Sequence, residues 1–262
     1  MTLKQIGSSE PWSGGTVTPG ASCVLAPNPS AMTLDGTNTW ILGLPGAEEV
    51  VLVDPGPSDP RHLERVRSTL ASQGSRVKLI LLTHGHSDHA QAASEFARVF
   101  GAPVIESGGG EVAEVPGLDI QAIATPGHSS DSVSFFVRSQ SALVTGDTVL
   151  GRGTTVVAHP DGSLADYLRS LQALRDLAAA EAVEQILPGH GPVLRDPVSV
   201  LSDYLEHRHA RLEQVRRAVH AGARSAADIV SAVYQPIPPQ VVPAATASAR
   251  AQLEYLAELG EI

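Results

Sequence analysis

LILLTHGHSDHAQAA, residues 79–93, sets three histidines and an aspartate within six residues, directly after an apolar run. In an extended chain, residues two apart point to the same side, so His84 and His86 can face one ion together. The chain then turns into a helix near Asp88, which redirects Asp88 and His89 toward a neighbouring position. Taken alone, the string is either a polar loop facing water or a metal site.

Three later turns repeat the arrangement. Ala124-Thr125-Pro126-Gly127-His128, Thr145-Gly146-Asp147-Thr148 and Leu187-Pro188-Gly189-His190-Gly191 each put a histidine or an aspartate on a turn after a short strand. Loops at strand ends are where a rigid scaffold presents chemistry. Any one of them reads as a turn whose polar residue faces water. Four in series, each with a metal-ligating side chain, read as one shared site. Imidazole with carboxylate suits zinc, and the same ligand types accept manganese or iron.

The layout around these turns is α/β. Strands are expected over residues 39–44, 50–53, 77–82, 104–105, 118–124, 133–137, 142–144 and 186–187. Helices are expected over 60–73, 90–100 and 164–177, with Gly74 and Gly101 as stops. Alternating strands and helices through residue 195 predict helices outside buried sheets. After Asp196 the strands stop. Asp196-Pro197 reads as a helix cap with proline at the first helical position. Leu201, Leu205, Leu212, Val215 and Val219 then form one apolar stripe. Helices over 225–234 and 241–259 flank the proline-rich linker at 236–239. The expected division is a domain over 1–196 and a small helical appendage over 197–262.

Bulk composition narrows the function classes. A chain of 262 residues, 42% hydrophobic and 18% charged, can bury a sizeable core. No apolar stretch approaches the roughly 18 residues of a membrane span. The opening MTLKQIGSSEPWSGG carries no apolar core of signal-peptide length, so a cytoplasmic location is the expectation. The single cysteine, Cys23, rules out an internal disulfide and reads as a small buried residue. A net charge of −10 argues against a broad polyanion-binding surface. Oligomeric state is not legible.

The ordered set His84, His86, Asp88, His89, His128, Asp147 and His190 resembles the HxHxDH signature and later motifs of the metallo-beta-lactamase superfamily, over about residues 17–195. Thr33-Leu34-Asp35-Gly36-Thr37-Asn38-Thr39, residues 145–151, Gly153-Thr154-Thr155-Val156 and the His207-Arg208 pair look like its lactamase-beta-like protein subfamily. That resemblance implies an αββα sandwich with a small winged-helix-like C-terminal appendage and two metals between the sheets. His84, His86 and His128 would hold one metal, Asp88, His89 and His190 the other, and Asp147 would bridge them. Asp54 is either a support for the ligands or a turn-capping aspartate before Pro55.

The implied activity is that of a dinuclear zinc hydrolase, in which the two ions share a water as hydroxide. Its substrate is either single-stranded RNA or a small molecule such as a thioester, lactone or other acyl compound. A di-iron oxidoreductase and a metal-free binding module are the remaining classes. Nothing after residue 196 resembles a flavin domain, and every ligand position is filled. An aspartate at 147 also points away from antibiotic hydrolysis, since the true beta-lactamases typically carry cysteine there. Beside Asp88, the expected catalytic residues are His159, His207 and Arg208, the last two as a general acid and an anion clamp from the appendage. His159 is otherwise a surface turn residue, and His207-Arg208 one exposed helical turn. The Arg208, Arg211, Arg216 and Arg217 cluster is either a phosphate-binding patch or a solubilising surface. Asn38 and Thr37, on the first strand's loop, either touch substrate or serve the turn. His62, His209 and His220 fall on helices without partners and receive no role.

Overall fold

The computed structural model describes residues 10–106, 110–111, 115, 117–234 and 236–262. Residues 1–9, read above for a leader segment, lie outside them. One sheet runs in spatial order through β1 (Gly15–Thr18), β2 (Ala21–Leu25), β3 (Asn38–Leu42), β4 (Glu49–Val53), β5 (Arg76–Leu82) and β6 (Val104–Glu106). The other holds β7 (Gly110–Glu111), β8 (Ile120–Ala124), β9 (Val133–Val137), β10 (Ala142–Gly146), β11 (Gln185–Pro188) and β12 (Leu194–Arg195), with β12 and β7 at its edges. Both sheets are mixed: β4–β5, β5–β6 and β10–β11 pair in parallel, the remaining pairs antiparallel.

Three apolar layers follow from side-chain alternation along the strands. In β5, Leu79 and Leu81 face the other sheet, joining Trp40, Leu42 and Val53 against Phe135, Val137 and Leu187. Ile80 points the opposite way and meets Val66, Leu70 and Phe96. These come from α1 (Pro60–Gln73) and from α3 (Ala93–Phe100), which follows the single turn α2 (Ser87–Ala90). On the far side, Phe136, Leu143 and Ile186 are covered by Tyr167, Leu171 and Leu174 of α4 (Leu164–Ala180) and by Leu201, Tyr204 and Leu205 of α5 (Pro197–His220). Helix, sheet, sheet, helix is the expected αββα arrangement.

The helix boundaries rest on local chemistry. Asp59 caps α1 by accepting from the Arg61 and His62 amides, and Gly74 closes it in the left-handed conformation. The single helix expected over 90–100 is divided, because the Ala92 amide donates to Gly56 O, outside the helix. Strands β1, β2, β7 and β12 lie outside the expected set. Cys23, on β2, is buried as expected, and burial pushes its thiol pKa up.

After α5 come α6 (Ala226–Ile229), a π-helical turn Val230–Tyr234 and α7 (Val242–Glu258). Leu212, Val215 and Val219 of α5 close a further cluster with Ile229, Ala245, Ala249 and Leu256. Among the described residues no strand follows Arg195, so these helices do not show winged-helix character. Likewise, no helix is long and apolar enough to cross a membrane among them.

A fully buried tyrosine ties α5 to the second sheet. The Tyr204 hydroxyl accepts from the Leu150 amide at 2.9 Å and donates to Leu150 O at 3.1 Å. Tyr204→Phe strands that amide without a partner, and chemical denaturation should show a loss of about 1–3 kcal/mol. An unchanged midpoint would mean that the pair contributes nothing to holding α5.

Candidate metal centre

Strand direction brings the polar turns to one place. Because β8 and β10 are each antiparallel to β9, and β11 is parallel to β10, their C-terminal ends share one edge. In the first sheet β4 and β5 end together, followed by Asp54 and by Thr83-His84. Two glycines allow the approach. A β-carbon on Gly146, whose φ is +48°, would lie 2.4 Å from Thr83 Oγ1. One on Gly189 would lie 2.6 Å from Asp147 Oδ1 and 2.7 Å from His89 Cε1.

The seven side chains meet as three overlapping sets whose ligand atoms lie within 4.8 Å of one another. These are His84, His86 and His128; His84, His89 and Asp147; and Asp88, His89 and His190. His86 Nδ1 is 3.0 Å from both His84 Nε2 and His128 Nε2. His89 Nε2 is 3.2 Å from His190 Nε2. Asp147 Oδ1 lies 3.3 Å from His89 Nε2 and 3.4 Å from His190 Nε2, and Asp88 Oδ2 is 3.2 Å from His190 Nε2.

The outward nitrogens are committed elsewhere. His128 Nδ1 donates to Val156 O at 2.7 Å and His190 Nδ1 to Gly36 O at 3.1 Å. His89 Nδ1 donates to Asp54 Oδ2 at 2.8 Å. The Thr83 hydroxyl also donates to Asp54 Oδ2, at 2.7 Å, which leaves its oxygen free to accept from His84 Nδ1 at 3.0 Å. Asp54 Oδ1 takes the Thr83 amide at 2.8 Å. Asp54 is therefore a support of the ligand cluster, 1% exposed and held at φ +54°. The sequence reading missed Thr83, whose only signal is its place before the first histidine, and the carbonyls of Gly36 and Val156, which have no side-chain signal.

Asn38 and Thr37 are buried. Asn38 Nδ2 donates to Pro188 O and Gly191 O, both at 2.9 Å, bracketing the His190 turn. His62 has a partner after all. Its Nε2 is 2.8 Å from Thr39 Oγ1, which donates to Asp54 O at 2.7 Å.

Charge divides the cluster. Burial alone would lower the His89 pKa, but Asp147 and Asp54 raise it well above the ordinary value. His190 is raised to about 9 by Asp147 and Asp88 against the same penalty. Burial, followed by His89, pushes His84 down to about 3, and burial also lowers His128. Asp147 is buried yet held well below the carboxylate range by His190 and His89.

This donor set fits bound cations. With Nδ1 of His84 and of His128 donating outward, their Nε2 atoms both present lone pairs to His86 Nδ1, and one proton on that nitrogen cannot satisfy both. Asp147 Oδ1 is buried and makes no well-formed hydrogen bond. A histidine ligand whose second nitrogen donates to a carboxylate or carbonyl is the ordinary support of a metal site.

The other expected catalytic residues are not among these three sets. His159 Nδ1 pairs with Glu254 of α7 at 2.5 Å. His207, half-buried on α5, has an unpartnered Nδ1, and burial with Arg208 and Arg211 nearby pushes it down to about 4. Arg208 is 6% exposed, donates to Thr155 O and stacks 4.8 Å over the Tyr167 ring. Its neighbours form no open basic patch. Arg211 donates to Val233 O, Arg216 pairs with Glu213 and Glu261, and Arg217 donates to Glu213 O.

Comparison with known proteins agrees with this geometry. The family model described as "Metallo-beta-lactamase superfamily" matches residues 32–112 and 103–190. A beta-lactamase-like protein 2 homolog from Caenorhabditis elegans is 34% identical, covering 91% of this chain and 84% of the relative. An atrochrysone carboxyl ACP thioesterase from Aspergillus fumigatus is 32% identical over 83% of this chain and 74% of its own. A beta-lactamase domain protein of known structure from Burkholderia ambifaria superposes with a TM-score of 0.78 at 23% identity, covering 97% of this chain and 91% of that one, a likeness that speaks for the fold. Since the matched residues include every turn that feeds the cluster, the chain belongs to the metallo-beta-lactamase superfamily.

Proposed function

We propose that this metal-dependent hydrolase holds two zinc ions and cleaves an acyl thioester. The observation that carries the metal reading is the convergence of five imidazoles, four of which have their outward nitrogen already taken. His84, His86 and His128 would hold one ion, Asp88, His89 and His190 the other, and Asp147 would lie between them. Zinc suits the set best, with manganese or iron accepted by the same ligand types. When bound, the ions would lower the pKa of a water to roughly 7 and polarise the acyl oxygen.

The chain's own residues supply orientation. Asp54 and Thr83 keep His84 and His89 in the tautomer that turns Nε2 inward. Asp88, about one-third exposed, reaches toward solvent beside His190 and is the ligand placed to meet a substrate or its leaving group. His207, pushed down to about 4 by burial with Arg208 and Arg211 nearby, would meet a substrate as a neutral ring with its Nδ1 unpartnered. His159 would contribute through its pairing with Glu254.

Thioester is favoured over RNA on two grounds. The arginines that would face phosphates are buried or spent on local partners, in a chain of net charge −10. The fungal relative named a thioesterase aligns over most of this chain.

Two measurements follow. Zinc titration of the metal-stripped protein should give two ions per chain, and Asp147→Asn should hold at most one tightly, because it removes the charge placed between the two cations. A single ion at saturating zinc would end the dinuclear reading. The zinc-loaded enzyme should then be assayed side by side on an acyl-pantetheine thioester, single-stranded RNA, a lactone and a cephalosporin. Chelator-sensitive thioester turnover is expected to exceed the others at least tenfold, with His84→Ala losing two orders of magnitude or more. Chelator-sensitive RNA cleavage without thioester turnover would reverse the substrate assignment.

A further inference from the structure

One buried guanidinium has no carboxylate paired with it among the described residues. Arg208 leaves α5, lies over the Tyr167 ring of α4 and donates to Thr155 O in the segment between β10 and α4. Burying a cation is expensive unless its protons are well used. Here it is aimed at a single carbonyl, so what that carbonyl belongs to matters.

Thr155 is the junction. It is buried, and its hydroxyl donates to Asp147 O at 2.6 Å. The next carbonyl, Val156 O, is the one that accepts from His128 Nδ1 at 2.7 Å. The Tyr167 hydroxyl under the guanidinium donates to Thr148 O at 2.7 Å, one residue beyond Asp147. Two consecutive residues thus fix the backbone of Asp147 and the ring of His128, and a charge from α5 fixes them in turn.

We propose that Arg208 is a positioning residue: through Thr155 and Val156 it sets the placement of Asp147 and His128, and with it the affinity and geometry of the metal centre. The inference rests on the metal reading given above. It replaces the substrate-facing anion clamp with a role behind the ligands, and it makes α5 part of the site's support. Breaking the link at either end should have the same effect. Thr155→Val keeps the branched shape and removes the hydroxyl's short bond to Asp147 O together with its longer one to Thr148 O at 3.3 Å. Arg208→Met keeps an unbranched chain over Tyr167 and removes the donor, while Arg208→Lys retains one.

The test uses full-length protein, stripped of metal and titrated with zinc against a competing chelator, and separately loaded with cobalt(II). Outer supports of metal ligands are worth about 10–100-fold in metal affinity. Thr155→Val and Arg208→Met should each weaken zinc binding at least tenfold and shift the visible bands of the cobalt protein, with Arg208→Lys recovering part of both. The metal-free melting temperature of Thr155→Val should stay close to that of the unaltered chain, and this variant decides the matter if Arg208→Met fails to fold. Zinc affinity and cobalt spectrum unchanged in Thr155→Val would overturn the inference while leaving the metal centre standing. No zinc binding by the unaltered protein would instead defeat the metal reading, and this inference with it.

Discussion

Imidazole nitrogens packed 3.0–3.2 Å apart in one cluster need positive charge between them, as protons or as metal ions. That constraint organises the rest of the molecule. The cluster exists only because five strand ends are brought to one edge and because four of its five rings are held from behind by an acceptor. Asp54 is the densest of these holds. One carboxylate serves the Thr83 amide, the Thr83 hydroxyl and the His89 ring, at a backbone conformation that aspartate tolerates better than most residues. A buried carboxylate with three donors is stable, and a buried ring with a fixed tautomer is ready to ligate.

Much of the fold was legible wherever the sequence punctuates itself. Helix α1 begins and ends where Asp59-Pro60 and Gly74 place it, since a side-chain cap and a left-handed glycine are purely local devices. The continuous apolar run of β5 reads correctly because both of its faces are covered. Strands β1 and β2 were missed. They are short, lie on either side of Pro19-Gly20, and depend for their definition on pairing with each other and, for β2, with β3. The break between α2 and α3 was equally invisible, because it is caused by Gly56, far away in the chain.

The candidate site divides the same way. Histidines and aspartates carry their chemistry in their names, and the seven were found by type and order. What supports them does so through backbone carbonyls, as at Gly36 and Val156, or through a common hydroxyl, as at Thr83 and Thr155. Asp54 could not be assigned from sequence because a turn-capping aspartate looks the same. Only the pairing of its amide with Leu81 O, which sets it beside Thr83, tells the two apart. The burial of Arg208, where an exposed helical turn was one expectation, was hidden for a related reason. Its position on a helix is readable, but which side of that helix is buried against α4 follows from tertiary packing.

The central claim is that these seven side chains are arranged around two cations. Anomalous diffraction at the zinc edge, from crystals of the zinc-loaded protein, tests it most directly. Two peaks about 3.5–4 Å apart are expected. One should lie among His84, His86 and His128, the other among Asp88, His89 and His190, with the Asp147 carboxylate between. A single peak, or zinc held anywhere other than among these residues, would contradict it.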